Sequence, residues 1–180
     1  MNSTSKNTKT KRFTVRRMAI LSLIIAACVV TRIAFQFLPN VQPLTDIFLI
    51  TALYFGAVEG ESVAILAMLV TGLYLGMGPW VVGQCIAYAI LILITVMANR
   101  VLDFNKQRYV FVGYTFGMGL MYGLIYAGFQ VTLLQMNAFV PYYVAGLPFD
   151  LMHAFGNAVF AILFIQLDKT HPNLLAWFRI

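Results

Sequence analysis

Arg-Ile-Ala-Phe-Gln-Phe-Leu-Pro-Asn-Val-Gln-Pro-Leu-Thr-Asp, residues 32–46, joins two strongly apolar segments and sets a cation before, and an anion after, a turn with two prolines. A charged side chain at the depth of lipid hydrocarbon costs roughly 2.5 to 3.5 kcal/mol on insertion scales, so such residues face a partner or a watery cavity. Arg32 and Asp46 are therefore the first candidates for function, read either as a structural ion pair or as contacts to a ligand.

The apolar segments on either side belong to a chain that is 61% hydrophobic and only 10% charged over 180 residues, with a mean hydropathy of +0.84. That make-up excludes an ordinary soluble globule. A helix needs about 20 mainly apolar residues to cross hydrocarbon about 30 Å thick, which leaves room for about six crossings. The expected fold is an all-α membrane protein with six transmembrane helices: residues 1–17 a basic tail, 18–167 the membrane domain and 168–180 a second tail.

Outward from the turn, the first helix is expected over about 18–38, the second over 44–58 and the third over 62–75. The break between the last two falls at Glu59-Gly60-Glu61. Proline suits a first helical turn and not an interior, so Pro39 and Pro43 separate the first pair. Gly76-Met77-Gly78-Pro79-Trp80 is a further turn, with the fourth helix over 80–98. A polar loop at 99–108 follows, then a fifth helix over 109–134. Its Gly113, Gly117, Gly119 and Gly123 make two overlapping GxxxG spacings that imply close helix contacts. Residues 135–147 read as an ordered, partly apolar loop or lid, and the sixth helix runs over 148–167.

Of 12 lysines and arginines, all but Arg32 fall before the first helix, in the loop after the fourth, or after the sixth. The positive-inside rule then places both termini in the cytoplasm. That distribution also explains the net charge of +6 without nucleic acid. The basic start and first apolar run are too long for a signal peptide. Cys28 and Cys85 sit in apolar runs and suggest buried packing rather than a disulfide or a metal site.

The remaining polar residues converge on the outer half. Asp150, His153 and Asn157 share one face of the sixth helix, and Gln84 and Tyr88 share a face of the fourth. With Arg32, Asn40, Gln42 and Asp46 they form the candidate substrate-binding set, expected to line a polar cavity open to the outside and closed toward the cytoplasm by apolar helix halves. His153 is equally readable as a hydrogen-bonded core histidine, and Trp80, Tyr142 and Tyr143 as interface anchors. No metal-protease, serine-hydrolase or phosphate-loop motif is present and no nucleophile accompanies His153 and Asp150, so no enzyme activity, catalytic residue, metal or cofactor is expected.

A six-helix protein with a basic N-terminal tail, these two turn sequences, and small residues Ala19, Ser22 and Ala26 on its first helix resembles the S components of energy-coupling factor transporters. The resemblance spans about residues 16–167, and within the family the turns look most like the cobalamin-type members. It implies a membrane subunit in the cell membrane that captures a vitamin at the outer face, with cobalamin the leading candidate and queuosine-type bases, folate and pantothenate as alternatives. It further implies docking through Ala19, Ser22 and Ala26 on a transmembrane T component driven by a pair of ATPase subunits. A self-sufficient transporter or channel, and a purely structural membrane protein, are the other classes open at this point.

Overall fold

The computed structural model describes residues 15–104 and 106–170, and among these it has six α-helices and no strand. They are α1 (Val15–Ala34), α2 (Leu44–Phe55), α3 (Ala57–Leu75), α4 (Pro79–Leu102), α5 (Arg108–Leu133) and α6 (Phe139–Thr170). All but α2 are long and apolar enough to cross a membrane, the make-up of a multi-pass membrane protein. Residues 1–14 and the tail beyond Thr170 lie outside the described residues, while Arg16 and Arg17, expected in the tail, belong to α1.

The shortest helix is the centre of the fold. α2 has 12 residues and lies next to every other helix, whereas the backbone of α1 runs beside only α2 and α3, and that of α6 beside only α2 and α5. Phe48, Leu49 and Leu44 are enclosed completely or nearly so, with Val63, Met68, Leu91 and Ile92 from α3 and α4 around them. At about 1.5 Å per residue α2 reaches only about 18 Å, and it is preceded by the hydrogen-bonded turns of residues 35–43. Val41 from these turns lies against Gly156 of α6, where a Cβ would come within 3.2 Å of its side chain.

Four boundaries differ from expectation, the first being that α1 ends at Ala34 rather than near residue 38, with turns in its place. The α2–α3 break falls at Gly56, whose φ of +118° favours glycine, and not at Glu59-Gly60-Glu61. Gly60 is instead inside α3, so close to α2 that a Cβ there would stand 2.6 Å from that of Ala52. Glu59 lies in the first turn of α3, where a carboxylate complements the helix dipole. The expected loop at 135–147 is mostly helix, because α6 begins at Phe139 and carries Pro148 internally. Likewise α4 runs on to Leu102, and Asp103 ends it in a left-handed conformation.

Only half of the glycine spacing in α5 is used for packing. Gly119 meets the backbone of Ala154, at 2.6 Å from a built Cβ, and Gly123 meets the carboxylate of Asp150. Gly113 and Gly117 face open space. Both expectations about cysteine are refined: Cys28 is wholly buried and Cys85 is partly exposed, each as a free thiol.

One end of the bundle gathers the charge. Arg17, at the start of α1, pairs with Glu59 and donates to the carbonyl of Phe55 at 2.6 Å, tying α1 to the α2–α3 junction. Arg108, at the start of α5, pairs with Asp168 near the end of α6, and Lys169 donates to the Tyr109 hydroxyl at 2.9 Å. Arg32, Asp46 and Asp150 lie away from this end, on helices whose opposite termini form it.

Candidate functional site

Arg32 turns inward from the last turn of α1. It donates to the Thr71 hydroxyl of α3 at 2.7 Å and the Gln84 carbonyl oxygen of α4 at 3.1 Å, with the Met68 sulfur 2.8 Å away. It forms no ion pair with Asp46; the ion pairs among the described residues join Arg17 to Glu59, Lys106 to Asp103 and Arg108 to Asp168. The guanidinium is thus held by neutral acceptors on two neighbouring helices, and its charge is not cancelled by direct contact with a carboxylate.

One helical turn further along α4, Tyr88 begins an aromatic chain that leads across the bundle. Its ring lies 4.9 Å from that of Phe48 and 4.9 Å from that of Tyr122, and Tyr122 lies edge-on to His153 at 4.9 Å. His153 Nε2 and the Thr45 hydroxyl share a 2.7 Å hydrogen bond, with the donor set by the imidazole tautomer. The spacing of Asp150, His153 and Asn157 does place all three on the inner face of α6, each less than a tenth exposed.

Below His153 the polar groups are enclosed more tightly. Asn157 donates from Nδ2 to the Thr115 carbonyl at 3.3 Å. Asp46, next to Thr45 in the first turn of α2, lies against Thr115 as well. The Thr115 hydroxyl, however, is turned to the Val112 carbonyl at 3.1 Å. Asp46, Thr115 and Asn157 are each 0% exposed, and both carboxylate oxygens of Asp46, the amide oxygen of Asn157 and Nδ1 of His153 have no hydrogen-bond partner. A buried polar atom left unmatched costs about 1 to 3 kcal/mol, and more when charged. This cluster is therefore the most strained polar chemistry in the described chain.

The rest of the expected set is spread out. Asn40, at φ +57°, is exposed and donates to the Phe149 carbonyl at 3.4 Å, and Gln42 is half-buried in the same turn. Asp150 fits only because residue 123 is a glycine. The structure thus brings Arg32 and Gln84 together, joins them through Tyr88 and Tyr122 to His153 and its neighbours Asp46 and Asn157, and leaves Asn40 and Gln42 in the turn beside α6. The expected open polar cavity is not what surrounds these side chains, since Asp46, His153 and Asn157 are packed inside. A cavity of about 210 Å³ lies instead between α1, α2 and α6, walled largely by apolar side chains such as Ile24, Ile47 and Phe164.

Thr45, Thr71, Thr115 and Tyr122 are site members that the charged and amide residues did not reveal. Threonine in an apolar helix commonly bonds its own backbone one turn back, as Thr51 and Thr132 do. Nothing in the sequence separates those from the threonines that also face a partner. The small residues Ala19, Ser22 and Ala26 of α1 are all exposed, with Leu23 71% exposed beside them.

The arrangement can recognise a ligand by charge and hydrogen bonds, with a cation at one end and unmatched acceptors at the other. No curated protein and no solved structure matches the chain significantly. One family profile does, over residues 12–171, and the chain accordingly belongs to the family of unknown function DUF6580.

Proposed function

We propose that this chain is the substrate-binding membrane subunit of an energy-coupling factor type importer, a six-span protein of the cell membrane that takes a micronutrient from outside. The observation that carries the reading is the enclosed polar cluster shared by α2, α4, α5 and α6, far from the charged end. A membrane protein with only a structural role gains nothing from burying Asp46, His153 and Asn157 in an apolar core, whereas intramembrane ionisable groups mark ligand and ion paths. The cationic groups Arg16, Arg17, Arg100, Lys106, Arg108 and Lys169 support a cytoplasmic location for the charged end and for both termini. With that orientation Arg32, the aromatic chain and the lid of residues 35–43 stand on the outer side.

The exposed Ala19, Ser22 and Ala26 of α1 give a T component and its pair of ATPases a surface on which to dock, since small residues let a second helix approach closely. Among ligands, the tight enclosure of the polar cluster favours a compact one, such as a queuosine-type base or pantothenate. Cobalamin, implied by the turn sequences, would sit above the cluster and reach it only with the lid displaced. A self-sufficient transporter is less well supported, because the cavity between α1, α2 and α6 has mainly apolar walls.

Calorimetric titration of the purified chain with cobalamin, then with queuosine-type bases, folate and pantothenate, tests the reading. One ligand is expected to bind tightly, and joint replacement Asp150→Ala and His153→Ala to weaken it at least tenfold, about 1.4 kcal/mol. Silence across the panel from folded protein refutes the substrate-binding role, and unchanged affinity in the double variant removes α6 from the site.

A further inference from the structure

Asp46 stands out from every other acid in the described chain. Glu59, Asp103 and Asp168 each meet a lysine or arginine, Glu61 is partly exposed at the charged end, and Asp150 sits against Gly123 at the α5–α6 contact. Asp46 alone combines complete enclosure with two unmatched oxygens. The unmatched amide oxygen of Asn157 belongs to a side chain whose nitrogen bonds the Thr115 carbonyl, and the Thr115 hydroxyl, which lies against Asp46, keeps lone pairs to spare. Three helices thus deliver oxygen atoms to one enclosed region, and Arg32, on the same side of the bundle, is committed to Thr71 and Gln84.

What this place lacks is positive charge rather than another acceptor. A proton on Asp46 would make one carboxylate oxygen a donor and could satisfy the Asn157 amide oxygen, leaving the other carboxylate oxygen unmatched, whereas a cation can bind all three at once. Hard cations take oxygen ligands, carboxylate and amide oxygens among them. A single carboxylate neutralises a single charge, and a divalent ion would leave an uncompensated positive charge in an apolar core, at a cost of several kcal/mol. We propose that Asp46, Asn157 and Thr115 form a binding site for one dehydrated monovalent cation of sodium size, set between α2, α5 and α6. The site shares Asp46 and Asn157 with the polar cluster on which the substrate-binding reading rests, but it needs no organic ligand to be filled.

The ion would join the first turn of the central helix to the two helices opposite, so its occupancy stabilises the fold. The other titratable and charged side chains facing this region are Arg32 of α1, Tyr88 of α4, Tyr122 of α5, and His153 and Asp150 of α6; the acids of α3 are at the charged end. Protons compete for Asp46, so cation binding is stronger at pH 8 than at pH 5.5.

The test is thermal unfolding of the purified full-length chain in sodium chloride against choline chloride at equal ionic strength, without any vitamin. Sodium is expected to raise the melting temperature saturably, by roughly 5 to 10 °C at a hundredfold excess over its dissociation constant. Asp46→Asn should remove the sodium dependence. A pH response with no difference between sodium and choline would show a protonated carboxyl and overturn the proposal, as would a sodium effect that survives in Asp46→Asn. If Asp46→Asn does not fold, Thr115→Val replaces it: the midpoint in sodium should rise at least fivefold, and an unchanged midpoint overturns the site.

Discussion

Gly119→Ala and Gly113→Ala make the same chemical change on the same helix, and the structure assigns them opposite outcomes. At Gly119 the added Cβ would lie 2.6 Å from the Ala154 Cα and 2.7 Å from its backbone nitrogen, while at Gly113 it meets nothing within 4 Å. Ordinary carbon contacts lie at about 3.5 to 4.0 Å, so α5 and α6 must separate by about 1 Å at their crossing, and backbone cannot yield as a flexible side chain would. Overpacking of this kind costs about 1 to 3 kcal/mol. Both substitutions gain about 1 kcal/mol of helix propensity, so this term cancels in the comparison. Gly113→Ala should leave stability unchanged or slightly raised, and Gly119→Ala should fall below it by about 1 to 3 kcal/mol. Thermal unfolding of the two variants in the same detergent, followed by intrinsic fluorescence, measures the difference directly. Equal melting temperatures would refute the assignment of α5's glycine faces, and with it the close α5–α6 contact that holds Asp150 inward.

Further expected outcomes follow from single contacts. Thr45→Val strips His153 Nε2 of its partner and should lower stability by about 1 to 3 kcal/mol, read by thermal unfolding; no change would mean the bond is not formed. Gly56→Ala forces a side chain into φ +118° and should cost about 1 to 3 kcal/mol, whereas a neutral result would place the α2–α3 break elsewhere. Arg17→Ala leaves Glu59 and the Phe55 carbonyl without this donor and should expose α1 to proteolysis earlier than the remaining helices. Ala26→Trp should leave melting temperature and ligand affinity unaltered and abolish co-purification with a T component; retained co-purification would move docking off this face of α1.

Much of the architecture was legible because hydrophobic runs long enough to cross a membrane leave few other assignments, and the helices follow them closely. Gly56 was missed because the acidic pair at Glu59 and Glu61 looked like a loop, while the deciding property was a backbone angle that sequence polarity does not report. Pro148 misled in the opposite direction, since a proline inside a long membrane helix is tolerated where neighbouring groups donate to the freed carbonyl. The α6 face was readable from spacing alone, because positions i, i+3 and i+7 fix a direction whatever surrounds them. The partners were not: whether Arg32 meets Asp46 or Thr71 depends on how α3 is placed, and no local pattern encodes that. Nor could spacing tell Gly119 and Gly123 from Gly113 and Gly117, as both pairs have the same form.

The central place of α2 bears on how the protein is made. A 12-residue segment that begins with an aspartate in its first turn is a poor candidate for lateral release from a translocation channel into lipid, whereas its neighbours are long enough to leave on their own. Because α2 touches all five other helices, its natural solvent is the finished bundle. Biogenesis cannot then proceed as a simple series of helices released in order. Asp46 is enclosed only once α5 and α6 have emerged, so helices made late in synthesis complete the burial of a segment made near the beginning.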